Sequence, residues 1–201
     1  VKFQEFLPLE NKPLQTGQKE ITLVGAYANP WSGAEEVAIL KAGSAPQATK
    51  HWSPHTDDFA ALAKLAGIKS VVEIATIRDL LSTILAEPEG SILRLNLITH
   101  SNSTTLGLSG RIVKDSGDVY FDGKLSESFI GEKIQEEISI DDDFRTTWSD
   151  IRKRFAKDAT LYLYACNAGA SANFRTKLRK AFGVTVHGSE FEMRYCAYEG
   201  N

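Results

Sequence analysis

Short apolar runs alternate with amphipathic segments along this chain. Three runs rich in aliphatic and β-branched residues predict buried strands at 21–27, 92–98 and 161–165. Weaker runs predict two more strands, at 70–74 and 184–188. Apolar residues at helical spacing predict the helices between them, at 59–66, 77–85, 147–155 and 171–182. Because strands and helices alternate, the pattern predicts an α/β fold with a mostly parallel central sheet flanked by helices.

Some segments fall outside this alternation. Residues 1–19 predict an irregular lead-in to a single domain spanning 20–201, and residues 30–56 predict a long loop. Alternating residues on both sides of a turn at 114–118 predict a β-hairpin after the 92–98 strand. Residues 124–146 are polar and acidic, and the pattern assigns no element to them.

Composition narrows the class of protein. The chain has 201 residues, 42% of them hydrophobic and 24% charged, which suits one globular domain with a real core. Two cysteines exclude a disulfide scaffold and a cysteine-rich zinc site. A net charge of −3 argues against a nucleic-acid partner.

Targeting signals are not recognisable in the sequence. No apolar run approaches the roughly 18 residues of a membrane span, and the N-terminus has no signal-peptide pattern. We therefore expect no membrane partner and, by default, a cytoplasmic location. The chain begins at Val1 rather than at a methionine, as expected of a processed protein or a domain cut from a longer one.

Two strong strands end next to reactive side chains. His100 follows the 92–98 strand, and Cys166 follows the 161–165 strand. Ligands of open α/β sheets bind at the carboxyl ends of the strands. A thiol beside an imidazole is the minimum equipment for cysteine-based acyl transfer. Small residues surround Cys166, and we expect the following helix to direct its N-terminus and N–H groups at the sulfur.

These two segments resemble the caspase-like (clan CD) cysteine peptidases. Leu95-Asn96-Leu97-Ile98-Thr99-His100-Ser101 is similar to the apolar strand that ends in the histidine motif of that family. Leu161-Tyr162-Leu163-Tyr164-Ala165-Cys166-Asn167-Ala168-Gly169 is similar to its Ala-Cys motif. The resemblance extends over about 20–190 and includes the hairpin at Leu106-Gly107-Leu108-Ser109-Gly110. It is strongest to the bacterial caspase-like domains found in large multidomain proteins.

The resemblance implies a fold, an activity and a site. The fold would be a three-layer caspase-like sandwich, and the activity that of a cysteine endopeptidase acting on proteins or peptides without metal or cofactor. Cys166 would attack the scissile carbonyl, and His100 would protonate the leaving amine. Ser101, Asn102 and Asn167 would line the oxyanion and substrate cleft. The family usually has glycine directly after the histidine, whereas this chain has Ser101.

Two other functions compete with the peptidase. Thr99-His100-Ser101-Asn102-Ser103 has some likeness to a nucleophile elbow, which would make Ser101 the nucleophile of a compact serine hydrolase with His187 as its base. A catalytically weak or inactive caspase-like domain would act as a binding module. In that case Cys166 would be a small buried residue, and His100 would bond only to a backbone carbonyl.

Remaining polar clusters have ordinary structural explanations. His51 and His55 lie near Asp57 and Asp58, but the aspartates suit a helix cap and the loop offers no third ligand, so no metal is expected. The run 141–143 is typical of a solvated loop, or of a rim that favours a basic substrate side chain. Cys196 is expected to pack in the core or at its margin.

Overall fold

The computed structural model describes residues 13–25, 70–112, 119–131 and 136–190. The strands, in chain order, are β1 Lys19–Gly25, β2 Val71–Ile74, β3 Ile92–Ile98, β4 His100–Asn102, β5 Thr105–Ile112, β6 Val119–Ser126, β7 Glu137–Asp141, β8 Phe144–Thr147, β9 Phe155–Tyr164 and β10 Thr185–Gly188. The helices are α1 Ile77–Leu85, α2 Glu127–Ile130, α3 Trp148–Arg154 and α4 Ala172–Phe182.

Five of these strands form one central sheet. Their order is β10-β9-β3-β1-β2, and every neighbouring pair is parallel. The predicted α/β fold with a mostly parallel sheet flanked by helices is therefore confirmed. The chain passes from β1 to β2 on one side and later to β3 on the other, so the order reverses between β1 and β3. Such a switch point, at the carboxyl ends of the strands, is the usual ligand site of an open α/β sheet.

One face of the sheet is apolar and carries the helices. Leu95 and Leu97 of β3 lie beside Leu161 and Leu163 of β9, and all four are buried. The helix residues that complete this core include Leu80, Leu81, Ile84, Trp148, Ile151, Phe174, Leu178 and Phe182. A fully buried side chain of this size contributes roughly 1.5–3 kcal/mol, so this layer fixes the geometry of the strands.

The opposite side of the same strands is polar in its middle part and ends in the buried residues Val24, Ile98 and Tyr164. We call this side the polar sheet face; its members are Glu20, Thr22, Arg94, Asn96, Tyr162 and His187. The guanidinium of Arg94 donates to Glu20 at 2.7 Å. The amide of Asn96 donates to Glu20 at 2.7 Å and to Thr22 at 3.2 Å. Thr22 and Asn96 are buried, and their mutual bonds offset the cost of that burial.

A second, three-stranded antiparallel sheet follows β3. It has the order β4-β5-β6, with His100 opposite Gly107 and Thr105 opposite Ser126. The predicted hairpin is thus present as β5 and β6, and its 113–118 connection lies outside the described residues. The sequence pattern predicts that the 92–98 strand ends at 99–102 with no further strand there. In the structure, His100 begins a strand of this second sheet.

The acidic segment 124–146 contains elements that the sequence did not predict. The short helix α2 begins after Ser126, whose hydroxyl accepts from the N–H of Phe129 at 3.2 Å. A hairpin, β7 and β8, follows and turns at Asp142 and Asp143. Ile138 is buried on this hairpin, but the charged residues around it mask the strand alternation in the sequence.

Strand β9 begins earlier than expected. Phe155 both ends α3 and opens β9, so no loop separates helix and strand. Ile92 pairs with Phe155, and Arg94 with Thr160, so β9 bulges between them. Within the bulge Asp158 has a φ of 65°, a left-handed conformation that aspartate tolerates. The polar residues of the bulge resemble a loop in the sequence, which explains the missed start.

Several predictions concern residues outside the described ranges. These are the helix at 59–66, the loop at 30–56 and the residues His51, His55, Asp57, Asp58 and Cys196.

Candidate active site

The backbones of His100 and Cys166 lie at the same edge of the central sheet. Strands β3 and β9 are adjacent, with Ile98 opposite Tyr164. The N–H of Thr99 donates to the carbonyl of Tyr164 at 3.2 Å and extends this pairing by one residue. His100 and Cys166 each follow the paired strand ends by two residues. The predicted adjacency of the two strands is therefore confirmed. The approach of the His100 imidazole to the Cys166 thiol stays a prediction.

Close packing fixes the point where β3 passes into β4. Thr99 is 1% exposed, and its hydroxyl donates to the carbonyl of Gly107 in β5. Gly25, at the end of β1, abuts the same place: a Cβ there would lie 2.8 Å from the Thr99 hydroxyl oxygen and 2.9 Å from the carbonyl oxygen of Leu108. Any larger residue would push the strands apart. The backbone of His100 is therefore held by neighbours on both sheets.

Cys166 is half-buried in a compact turn between β9 and α4. We call residues 165–170 the Cys166 turn. Ala165 and Ala168 are buried, and Asn167 has a φ of 53°, in the left-handed region. Gly169 allows the turn to touch the end of β10, because a Cβ on it would lie 2.2 Å from the carbonyl oxygen of Gly188. The small residues near Cys166 therefore serve the packing of the turn, a role that the sequence pattern did not assign to them.

Three N–H groups of this turn already have acceptors. Ala168 donates to Ala165 at 3.4 Å, Gly169 to Ser189 at 2.6 Å and Ala170 to Asn167 at 3.0 Å. These three N–H groups therefore already donate to backbone carbonyls, and Ser101, Cys166 and Asn167 stay the predicted lining of the oxyanion and substrate cleft.

Helix α4 begins beyond the Cys166 turn. Helix α4 begins at Ala172, six residues after Cys166, and Ser171 caps it by accepting from the N–H of Phe174 at 3.1 Å. The field of a helix N-terminus falls off within about one turn. The Cys166 turn lies between the sulfur and the cap of α4 in the sequence, and the expected direction of the α4 N-terminus toward the sulfur stays a prediction.

Ser101 links the two segments of the site. Its side chain is half-buried, and its hydroxyl donates to the carbonyl oxygen of Cys166. Ser101 lies within β4, and the chain continues into a turn and β5 rather than into a helix. The strand–turn–helix of a nucleophile elbow is thus not present at this serine.

His187 lies on the polar sheet face. It is exposed, pairs in register with Tyr162 and stacks on the ring of Tyr162 at a centroid distance of 5.3 Å and an angle of 17°. Tyr162 precedes Cys166 by four residues, which is about 13 Å along a strand. The structure therefore does not bring His187 to the edge where His100 and Ser101 lie.

A glutamate that the sequence did not single out connects the segments around the site. Glu127 lies in α2, and its N–H donates to the carbonyl of Thr104, in the turn between β4 and β5, at 3.1 Å. Its carboxylate accepts from the Ser171 hydroxyl at 3.1 Å and from the Asn173 amide at 2.8 Å. Ser126 followed by Glu127 is a weak signal for the start of a helix. No sequence pattern predicts that Glu127 contacts Ser171 and Asn173, which lie 44 and 46 positions further along the chain.

Some absences can be stated for the part of the chain that the structure describes. Over those residues no three histidine, cysteine, aspartate or glutamate side chains come together in a way that could hold a metal ion. Among the helices just described, none combines the length and apolar character that crossing a membrane requires. Comparison with protein-family models, curated proteins and solved structures gave no match.

Proposed function

We propose that this domain is a cysteine endopeptidase of the caspase-like type, acting on protein or peptide substrates through Cys166 and His100. The observation that carries the proposal is that His100 and Cys166 lie at equivalent positions at the ends of two adjacent strands. Each follows, by two residues, one of two neighbouring parallel strands, and the pairing of those strands extends to Thr99 and Tyr164. Their location beside the switch point of the sheet agrees with the general rule for ligand sites.

The reaction follows from thiol and imidazole chemistry. The Cys166 thiolate attacks the scissile carbonyl, and backbone N–H groups near Ser101 and Cys166 stabilise the oxyanion. His100 gives a proton to the leaving amine, and a thioester to Cys166 remains. Water, activated by His100, then hydrolyses the thioester and restores the thiol. No metal or cofactor enters these steps.

Substitution of each residue in the full chain tests the proposal. Cys166→Ala is expected to abolish cleavage of a peptide library that contains every residue type, and His100→Ala to reduce it by a comparable factor. The double variant is expected to be hardly worse than either, because residues that act as a unit are not additive. The matched controls are Cys196→Ala and His187→Ala, which should cleave like wild type. Cleavage that survives in Cys166→Ala would end the proposal.

A binding module is the second candidate, and two observations favour it. The Ser101 hydroxyl donates a hydrogen bond to the carbonyl of Cys166. Three N–H groups of the Cys166 turn already donate to backbone carbonyls of the protein. A domain built for binding would show no turnover in any variant, and a partner would bind Cys166→Ala as well as wild type. The serine-hydrolase alternative has less support, because Ser101 donates to a backbone carbonyl while His187 stacks on Tyr162. It expects Ser101→Ala, and not Cys166→Ala, to remove esterase activity.

A further inference from the structure

Glu127 contacts both segments that carry the proposed catalytic residues. On one side its N–H donates to Thr104, in the turn that closes β4, the strand that begins with His100. On the other side its carboxylate bonds to Ser171 and Asn173, which follow the Cys166 turn. The side chain is 22% exposed, so these bonds form where water competes only in part.

The contact with Ser171 reaches into the cap of α4. The Ser171 hydroxyl accepts from the N–H of Phe174 at 3.1 Å and donates to Glu127 at 3.1 Å. The first turn of α4 has no acidic residue of its own. Glu127 therefore supplies, from another element, the negative charge that stabilises a helix N-terminus. Since the cap directly follows the Cys166 turn, its position determines where the turn ends.

A lysine completes the charge balance of this contact. The ammonium of Lys177, 14% exposed, lies 3.7 Å from the Glu127 carboxylate and donates to the Glu127 backbone carbonyl at 3.5 Å. Lys177 lies in the second turn of α4. Helix α4 thus contacts Glu127 through its cap, its first turn and its second turn. Glu127 therefore connects the start of this helix to the segment that follows the β5–β6 hairpin.

We infer that Glu127 is a positioning residue, which holds the Cys166 turn in register with the strand of His100. The inference rests on the proposed peptidase function for its catalytic consequence, but not for its structural one. Ser101 makes a second connection between the same segments, through the carbonyl of Cys166. Glu127 acts at the far end of the turn, so that the turn is held at both ends.

The chain offers a matched control in Glu136. That glutamate bonds to the N–H of Ser149 in the first turn of α3 and to Arg152 at 2.8 Å and 2.9 Å. It therefore stabilises a helix start and pairs with a cation, as Glu127 does, but on α3 rather than beside the Cys166 turn. Loss of either glutamate removes a similar set of bonds, and only one set adjoins the turn.

The experiment compares the full-length wild type with Glu127→Ala, Glu127→Gln and Glu136→Ala. Hydrogen–deuterium exchange of a peptide covering 164–172 is expected to be about tenfold faster in Glu127→Ala and unchanged in Glu136→Ala. Glu127→Gln, which keeps one acceptor for Ser171, should lie between. On a peptide that wild type cleaves, kcat is expected to fall about tenfold in Glu127→Ala with KM within twofold, and to stay near wild type in Glu136→Ala.

The outcomes separate this inference from the proposed function. Unchanged exchange over 164–172 in both Glu127 variants would overturn the positioning role, whatever the activity. Equal kcat losses in Glu127→Ala and Glu136→Ala would also overturn it, because a general loss of stability would then suffice. Wild type that cleaves no peptide would refute the peptidase, while the exchange measurement would still decide whether Glu127 holds the turn.

Discussion

The hydroxyl of Ser101 donates to the carbonyl oxygen of Cys166, so a side chain of the second sheet holds the backbone of the proposed nucleophile. The two residues are 65 positions apart in the chain. Glycine, which the resemblance to the caspase-like family would lead one to expect at this position, could not make this bond. The serine therefore adds a connection across the site while reducing the backbone freedom of the residue after His100.

Removal of this bond is expected to weaken the fold locally without removing activity. Ser101→Ala should lower the free energy of unfolding by about 1 kcal/mol, the usual contribution of a partly buried hydrogen bond. Urea unfolding measures this loss. Peptidase kcat should fall by a small factor and remain measurable. Abolished turnover in Ser101→Ala, together with normal turnover in Cys166→Ala, would instead identify Ser101 as the nucleophile.

The thiol of Cys166 is expected to depend on His100. Iodoacetamide should alkylate Cys166 faster than Cys196 in the native protein, because an imidazole beside a thiol favours the thiolate. His100→Ala should slow the modification of Cys166 and leave that of Cys196 unchanged. Mass spectrometry of the two cysteine peptides gives both rates from one sample. Equal rates for the two cysteines in wild type would contradict a catalytic role for Cys166.

Gly169 is expected to tolerate no side chain. In Gly169→Ala the new Cβ would meet the carbonyl of Gly188 at 2.2 Å, so the Cys166 turn or the end of β10 must move. We expect a loss of about 3 kcal/mol in the free energy of unfolding and a large loss of activity. The control is Gly90→Ala, where a Cβ meets nothing within 4 Å and only the φ of 70° is unfavourable. That variant should lose about 1 kcal/mol and keep its activity.

The start of α1 gives a pH-dependent contribution to stability. Burial raises the pKa of Asp79, but hydrogen bonds from Ala75 and Thr76 outweigh it, and the pKa of Asp79 lies below its usual 3.8. A carboxyl whose pKa is lower in the folded state stabilises the fold above its unfolded pKa. This contribution is lost as the pH falls through the folded value.

Asp79→Asn should therefore be less stable than wild type by about 1 kcal/mol at pH 7, the usual value of a helix cap. The difference should diminish when the pH falls below 3.8. Thermal unfolding from pH 7 down to about pH 2 measures the effect. A difference that stays constant over this range would mean that the charge of Asp79 contributes nothing.

Much of the fold was predictable because the strong strands are apolar and the helices carry clear caps. Thr76 and Asp79 form a reciprocal cap at α1, and Ser171 caps α4, at the positions where the sequence predicts helix starts. The adjacency of β3 and β9 followed from the alternating pattern together with the location of His100 and Cys166.

The elements that were missed depend on contacts distant in sequence. Strand β9 includes a polar bulge that is recognisable only against β3, and the β7–β8 hairpin buries Ile138 among charged neighbours. Glu127 is an ordinary acidic residue until the fold brings Ser171 beside it.

The polar sheet face determines the register in which β3 pairs with β1. A slip of β3 by two residues would exchange one leucine for another on the apolar face, so apolar side chains would still point to the core. The same slip would place Arg94 opposite Thr22 and Asn96 opposite Val24, and would strip Glu20 of its cation. It would also displace His100 by about 7 Å along the strand. The hydrogen bonds of this face therefore favour the native register of β3 over the shifted one, and with it the position of His100 at the strand end.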